Sequence, residues 1–93
     1  MSEYRIFETA EFARALEKLP ADRARFIQSR LSEPVYPQLR EMPYYGPHLR
    51  KLRNYSPPTW RYRIGPYRVF YHIDEGERVV CVLTVKRRED AYR

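Results

Sequence analysis

Apolar and polar positions follow two periods along this chain, a helical one near the N-terminus and a two-residue alternation beyond it. Residues 4–8 set Tyr4, Ile6 and Glu8 against Arg5 and Phe7, a short strand pattern. Thr9 then offers an N-cap hydroxyl, Glu11 falls in the next turn, and Phe12, Ala15, Leu16 and Leu19 recur at helical spacing until Pro20, which predicts an amphipathic helix. A second helix is predicted over residues 21–32, with Ala24, Ile27 and Leu31 on one stripe and Phe26 beside it, so the two form a hairpin. Between residues 33 and 47, Pro34, Pro37, Pro43, Gly46 and Pro47 break regular structure and leave room only for a short helical turn near 38–42.

After that connection the alternation takes over. Leu49 and Leu52 mark a short strand, and residues 59–64 alternate Trp60, Tyr62 and Ile64 with Arg61 and Arg63. Gly65-Pro66 supplies a two-residue turn that begins with glycine, residues 67–73 return, and residues 74–77 turn again. Residues 78–86 are apolar on both faces through Val79, Val80, Cys81, Val82, Leu83 and Val85, which predicts an interior strand. The fold class implied is α+β: an N-terminal strand and a helical hairpin packed on one side of a twisted, mainly antiparallel sheet.

Length confines this pattern to one domain, 1–93, because two domains cut from 93 residues would each lack a core. Apolar residues at 43% offset the chain entropy that 32% charged residues would otherwise leave unopposed, so a folded chain is expected. No apolar run approaches the roughly 18 residues of a membrane span, and residues 1–5 do not open a signal peptide, so the expected location is cytoplasmic and away from membranes. One cysteine, Cys81, and two separated histidines exclude an internal disulfide and a zinc site, and neither a metal nor an organic cofactor is expected.

Charge changes the picture by its position. Up to Pro47 there are seven basic and seven acidic residues, whereas from His48 onward eleven basic face five acidic, so the whole formal excess of +6 lies in the second half. Arg50, Lys51, Arg53, Arg61, Arg63 and Arg68 occur there without one Asp or Glu among them and are interleaved with Tyr55, Trp60, Tyr62, Tyr67, Phe70 and Tyr71. That mixture suits a polyanion with stackable bases, with an acidic protein partner as the other use of such a face. Strand parity refines it: if Trp60, Tyr62 and Ile64 meet the helices, Arg61 and Arg63 face away, and the next strand adds Arg68, Phe70 and His72 to that second face. The same parity reads Tyr62, Tyr67 and Tyr71 as core, and Cys81 reads as a small buried apolar residue. Past Val85, parity does not decide which of Lys86 and Arg87 joins the basic face.

The run Trp60-Arg61-Tyr62-Arg63-Ile64-Gly65-Pro66-Tyr67-Arg68-Val69-Phe70-Tyr71, together with Lys86-Arg87-Arg88 and Tyr92, resembles the RelE/ParE toxin superfamily of bacterial and archaeal toxin–antitoxin systems. Residues 4–19 resemble its first strand and helix, and residues 48–52 its approach to the sheet, so nearly the whole chain takes part. In its ribosome-dependent branch such toxins enter the decoding site of the small subunit and cut messenger RNA. The resemblance implies that Arg68 contacts the scissile phosphate, that Arg87 assists the leaving group or stabilises charge, and that Tyr92 stacks on a base or takes part in proton transfer. Arg61 and Arg63 would complete the catalytic set, with Arg50, Lys51, Arg53, Lys86 and Arg88 holding nucleic acid. A cognate protein antitoxin is the implied inhibitor, and the oligomeric state stays open.

Cleavage by attack of a ribose 2′-hydroxyl on its own phosphate needs charge stabilisation, a base and an acid. Arginines supply the first and are poor bases, and several relatives carry lysine where this chain has Arg61 or Arg63. Lys51, Lys86 and Tyr92 therefore stand as alternatives for the base, and His72 and His48 read as polar residues without a catalytic part. Two other functions stay open beside the ribonuclease. One is a ParE-like toxin that inhibits DNA gyrase, and the other is a non-catalytic RNA-binding module that needs only the charge and the aromatics.

Overall fold

The computed structural model describes residues 3–91. In chain order it contains β1 (Arg5–Glu8), α1 (Ala10–Glu17), α2 (Ala21–Arg30), α3 (Tyr36–Glu41), β2 (Leu49–Lys51), β3 (Trp60–Ile64), β4 (Tyr67–Asp74) and β5 (Val79–Arg87), then a 3₁₀ turn at Arg88–Asp90. The strands are ordered β1-β5-β4-β3-β2. Every neighbouring pair is antiparallel except β1 and β5, which run parallel because the helices carry the chain across between them. The α+β architecture expected from the two periods is thus the one observed, with one parallel pair added.

α1 begins where Thr9 caps it: the hydroxyl accepts from the Phe12 N–H at 3.1 Å. The same hydroxyl lies 2.9 and 3.1 Å from the carbonyl oxygens of Val82 and Leu83, so the cap also fastens the helix to β5. Such a cap contributes about 1 kcal/mol to a helix. The proline-rich connection is more regular than its composition predicts. Helix continues from α2 to about Ser32, breaks at Glu33 (φ −153°, ψ 123°), and resumes through α3. The break falls where it does because Pro34 drives the residue before it out of the helical region.

One face of the sheet carries the core. Trp60, Tyr62, Ile64, Tyr67, Val69, Tyr71, Ile73, Val80, Val82 and Val85 meet Phe12, Ile27, Leu31, Val35 and Leu39 from the helices. Each such side chain contributes about 1.5–3 kcal/mol by leaving water. The tyrosines keep their hydroxyls satisfied within this layer, Tyr71 donating to the Pro43 carbonyl at 2.7 Å and Tyr62 to Gln38 Oε1 at 2.8 Å. β5 is interior as expected, but β4 is the middle strand and the one buried on both faces, from Tyr67 to Tyr71. On β5 the second set, Val79, Cys81 and Leu83, is only half-buried.

A bulge explains why β5 is apolar in both parities. Phe70 pairs with Thr84 and Tyr71 with Val82, which leaves Leu83 as the extra residue. Val82 and Val85 therefore both face the helices although three residues separate them. At the far end of the sheet Glu75 accepts from the hydroxyls of Tyr4 and Tyr44, and pairs with Arg78 at 2.6 Å. The hydroxyls of Tyr4 and then Tyr44, followed by Arg78, hold the Glu75 carboxyl down at about 2.

Candidate functional site

Because the helices cover one face only, the opposite face of β3, β4 and β5 presents the basic side chains. Register sets them in two rows. The first runs Arg63, Arg68, Lys86 across the three strands, and His48 joins it through the Arg63 N–H, which donates to the His48 carbonyl at 2.8 Å. The second runs Arg50, Arg61, Phe70, Thr84. Parity had placed Arg61, Arg63, Arg68 and Phe70 together, and the register does the same. The bulge settles the residues that parity left open. Downstream of Leu83 the alternation resumes with Lys86 opposite Arg68 and Arg87 opposite Tyr67.

Although their backbone positions adjoin, the guanidinium groups are held by different partners. Arg68 is 92% buried at a sheet face without helices, and its Nη1 donates to the carbonyls of Gly65 at 3.1 Å and Tyr67 at 2.9 Å. The β3–β4 turn makes those carbonyls available, and glycine suits it because φ at Gly65 is +55°. Arg61 Nη1 donates to the His48 carbonyl at 3.0 Å, while its Nε is buried without a hydrogen-bond partner. Arg63 Nη2 lies 3.3 Å from His48 Nδ1. The carbonyls orient these groups and add no formal charge of their own.

Not every sequence candidate joins the two rows. Arg87 pairs with Glu89 at 2.9 Å and lies over the Tyr67 ring at 5.9 Å, so it sits at the rim. Lys51 falls on the helix side, its Nζ 5.5 Å from the Trp60 ring centre, which removes it from the face where a base would be needed. Arg50 is opposite Arg61, and Arg53 lines a separate surface groove with Lys51 and Tyr55. Arg88 stands in the 3₁₀ turn, where its N–H donates to the Pro66 carbonyl at 2.7 Å. Tyr92 lies outside the described residues. His72 has Nδ1 3.0 Å from the Pro58 carbonyl, and Cys81 is opposite His72 with its thiol pushed up by burial and then by Asp74.

Beside the rows lies a cavity of about 240 Å³ lined by Phe70, Tyr55, Thr59, Thr84, Lys86 and others. Ala91, carried back by the 3₁₀ turn, lines it too. Sequence reasoning missed His48 and Thr84 as parts of this region, while Tyr55 was among the aromatics it set between the basic residues. For His48 a signal existed, since it shares strand parity with Arg50 and so falls on the face of Arg61 and Arg63. For Thr84 the bulge hid it.

A helical layer on a five-stranded mixed sheet whose bare face is cationic defines a toxin of the RelE/ParE superfamily. Residues 6–92 match the family of the ParE toxin of type II toxin-antitoxin system, parDE, and the chain belongs to it. No curated protein matches the chain. Among solved structures, the toxin-antitoxin complex RelBE2 from Mycobacterium tuberculosis holds a chain that is similar at 29% identity, over 92% of this chain and 99% of that one, with a TM-score of 0.72. The archaeal RelE-RelB complex from Pyrococcus horikoshii gives 25% identity over 98% and 100%, with a TM-score of 0.63. A mutant E. coli toxin RelE in the free state, at 22% identity over 98% and 88% and a TM-score of 0.67, shares the fold. Among the described residues no helix is long and apolar enough to cross a membrane.

Proposed function

We propose that this toxin, folded as a single domain over residues 1–93, is a ribosome-dependent endoribonuclease. It acts in the cytoplasm, enters the decoding site of the small subunit and cuts messenger RNA there, and a cognate protein antitoxin holds it inactive. The observation that carries this reading is the row Arg63, Arg68, Lys86 on adjacent strands, flanked by Arg61 and Phe70, on the face the helices leave bare. Attack of the 2′-hydroxyl on the adjacent phosphorus places extra negative charge on the phosphate oxygens. Fixed guanidinium donors aimed at that charge stabilise the transition state more than the ground state. Arg68 takes the scissile phosphate, and Arg61 and Arg63 share its charge. Arg50, Lys51, Arg53 and Arg88 hold flanking backbone, and Tyr92 meets a base. The cavity beside Phe70 and Tyr55 has the aromatic lining that an unstacked base requires.

The proton must be carried by something other than arginine. Lys86 is the lysine on the row, Lys51 being turned toward Trp60, so Lys86, in its neutral amine form, accepts the 2′-hydroxyl proton and becomes the ammonium. Arg87 reaches the leaving oxygen from the rim after exchanging Glu89 for substrate and stabilises its charge, and a solvent proton completes the 5′-hydroxyl. A second reading has its own support: the matching family is that of ParE, and inhibition of DNA gyrase is a function such a face would serve without cutting RNA. Primer extension on programmed ribosomes, run beside a gyrase supercoiling assay, tests both. The proposal expects a cut inside the A-site codon and unchanged supercoiling; supercoiling lost with messenger intact would overturn it in favour of the gyrase reading.

A further inference from the structure

A second cavity, of about 180 Å³, opens at the sheet edge where β3 runs on past the start of β2. Arg30 from the end of α2, His48 and Arg63 line it, with Tyr62 and Gly65 among its walls and no carboxylate in the lining. Each cationic or polar head is held in place. The Arg30 guanidinium lies 5.3 Å from the centre of the Phe26 ring. The His48 ring stands 6.0 Å from the Tyr62 ring and 3.3 Å from Arg63 Nη2. A guanidinium only donates, so in that contact Nδ1 accepts, which leaves Nε2 as the ring nitrogen that can carry a proton toward a ligand. Two guanidinium groups and an imidazole N–H thus border one concavity, and among the described residues none of the three is ion-paired to an acid.

We propose that this notch binds a backbone phosphate of the nucleic acid other than the scissile one. Like charges gathered without a counter-ion repel, and a phosphate relieves that repulsion while accepting in several directions at once. His48 joins the notch to the catalytic rows: its carbonyl accepts from Arg61 and from the Arg63 N–H, and Arg63 is the register neighbour of Arg68. A strand whose reacting phosphate meets Arg68 therefore brings a flanking phosphate toward the notch. The inference deepens the ribonuclease reading and rests on it for the owner of the phosphate, whereas the notch as an anion site stands on its own geometry.

The test is an amide chemical-shift titration of the protein with inorganic phosphate, then with a 2′-O-methyl RNA hexamer that cannot be cut, for wild type and Arg30→Ala. Phosphate is expected to shift the amides of residues 30, 48 and 63–65, and Arg30→Ala to weaken that response at least about fivefold. The RNA is expected to shift the same amides and also residues 68–70 and 84–86, with about fivefold weaker binding in Arg30→Ala and a salt slope lower by about one. His48→Ala, which leaves Arg30 intact, serves as the second variant and is expected to weaken phosphate in the same direction. Phosphate shifts absent from the notch would overturn the anion site. Phosphate binding that depends on Arg30 while RNA binding does not would assign the notch to a free anion and overturn the backbone claim. Loss of cleavage on ribosomes with both titrations as expected would count against the ribonuclease alone.

Discussion

The two faces of β4 are built from the same eight residues and obey different rules. Toward the helices, Tyr67, Val69, Tyr71 and Ile73 are apolar or have their polar atoms satisfied. Toward the bare side, Arg68, Phe70 and His72 stand between Arg61, Arg63 and Lys86. Folding alone accounts for the first face, because every side chain there is removed from water against a partner. It does not account for the second, where guanidinium groups adjoin and an apolar ring is buried beside them. A sheet face that gathers four basic side chains around one ring is the one on which the proposed binding function rests.

Changes on the helix face should cost stability and little else. Tyr71→Ala removes a fully buried ring and leaves the Pro43 carbonyl without its donor, so urea unfolding should show a loss of about 3–5 kcal/mol. A loss below about 1 kcal/mol would mean that this face is not the principal core. On the other face the currency changes. Arg68→Ala should lower single-turnover cleavage about a hundredfold, the scale of about 3 kcal/mol for one preorganised donor. Because Arg68 is buried and bound to Gly65 and Tyr67, the same variant should also lose about 1–2 kcal/mol of stability, so it is assayed well below its melting point.

A smaller effect separates charge from proton transfer within the row. Lys86→Arg keeps the positive charge opposite Arg68 but cannot yield its proton, so ribosome binding should be retained while cleavage at saturation falls about tenfold. Full activity in Lys86→Arg would restrict residue 86 to an electrostatic part. The smallest effect lies outside both faces, at Glu75. Its carboxyl is held at about 2 against an ordinary 4.5, so its contribution to stability is present above about pH 4.5 and disappears as pH falls toward 2. Glu75→Gln should melt lower than wild type at pH 7 by a few degrees, with the difference closing between pH 4.5 and 2. A gap that stays constant across that window would remove Glu75 as its source.

Most elements were legible because local rules made them. Thr9 capped α1, Gly65-Pro66 closed the β3–β4 turn, and strict alternation over residues 60–64 put Arg61 and Arg63 on the face of Arg68 and Phe70. What could not be read depends on contacts between distant segments. The parallel pairing of β1 with β5 joins residues more than seventy positions apart, and no local pattern specifies it. The bulge at Leu83 decides the places of Lys86 and Arg87, and its trace in the sequence, Val82 and Val85 in opposite parities, was mistaken for burial on both faces. The burial of Arg68 was hidden for a similar reason, since the carbonyls that hold it belong to a turn whose shape the residue types only permit. The helix through α3 was obscured by prolines that interrupt it at one residue, Glu33, rather than end it.

If the bare face is a ribonuclease site, the nucleophile is the substrate's own 2′-hydroxyl and the protein supplies only charge, proton transfer and position. The direct measurement is cleavage on programmed ribosomes of two messengers that differ by one atom, with ribose or 2′-deoxyribose at the nucleotide before the cut. Wild-type protein is predicted to cut the ribose messenger and to leave a 2′,3′-cyclic phosphate, and to leave the deoxy messenger whole. Equal cutting of both would contradict the account, because it would require a nucleophile that this face does not provide.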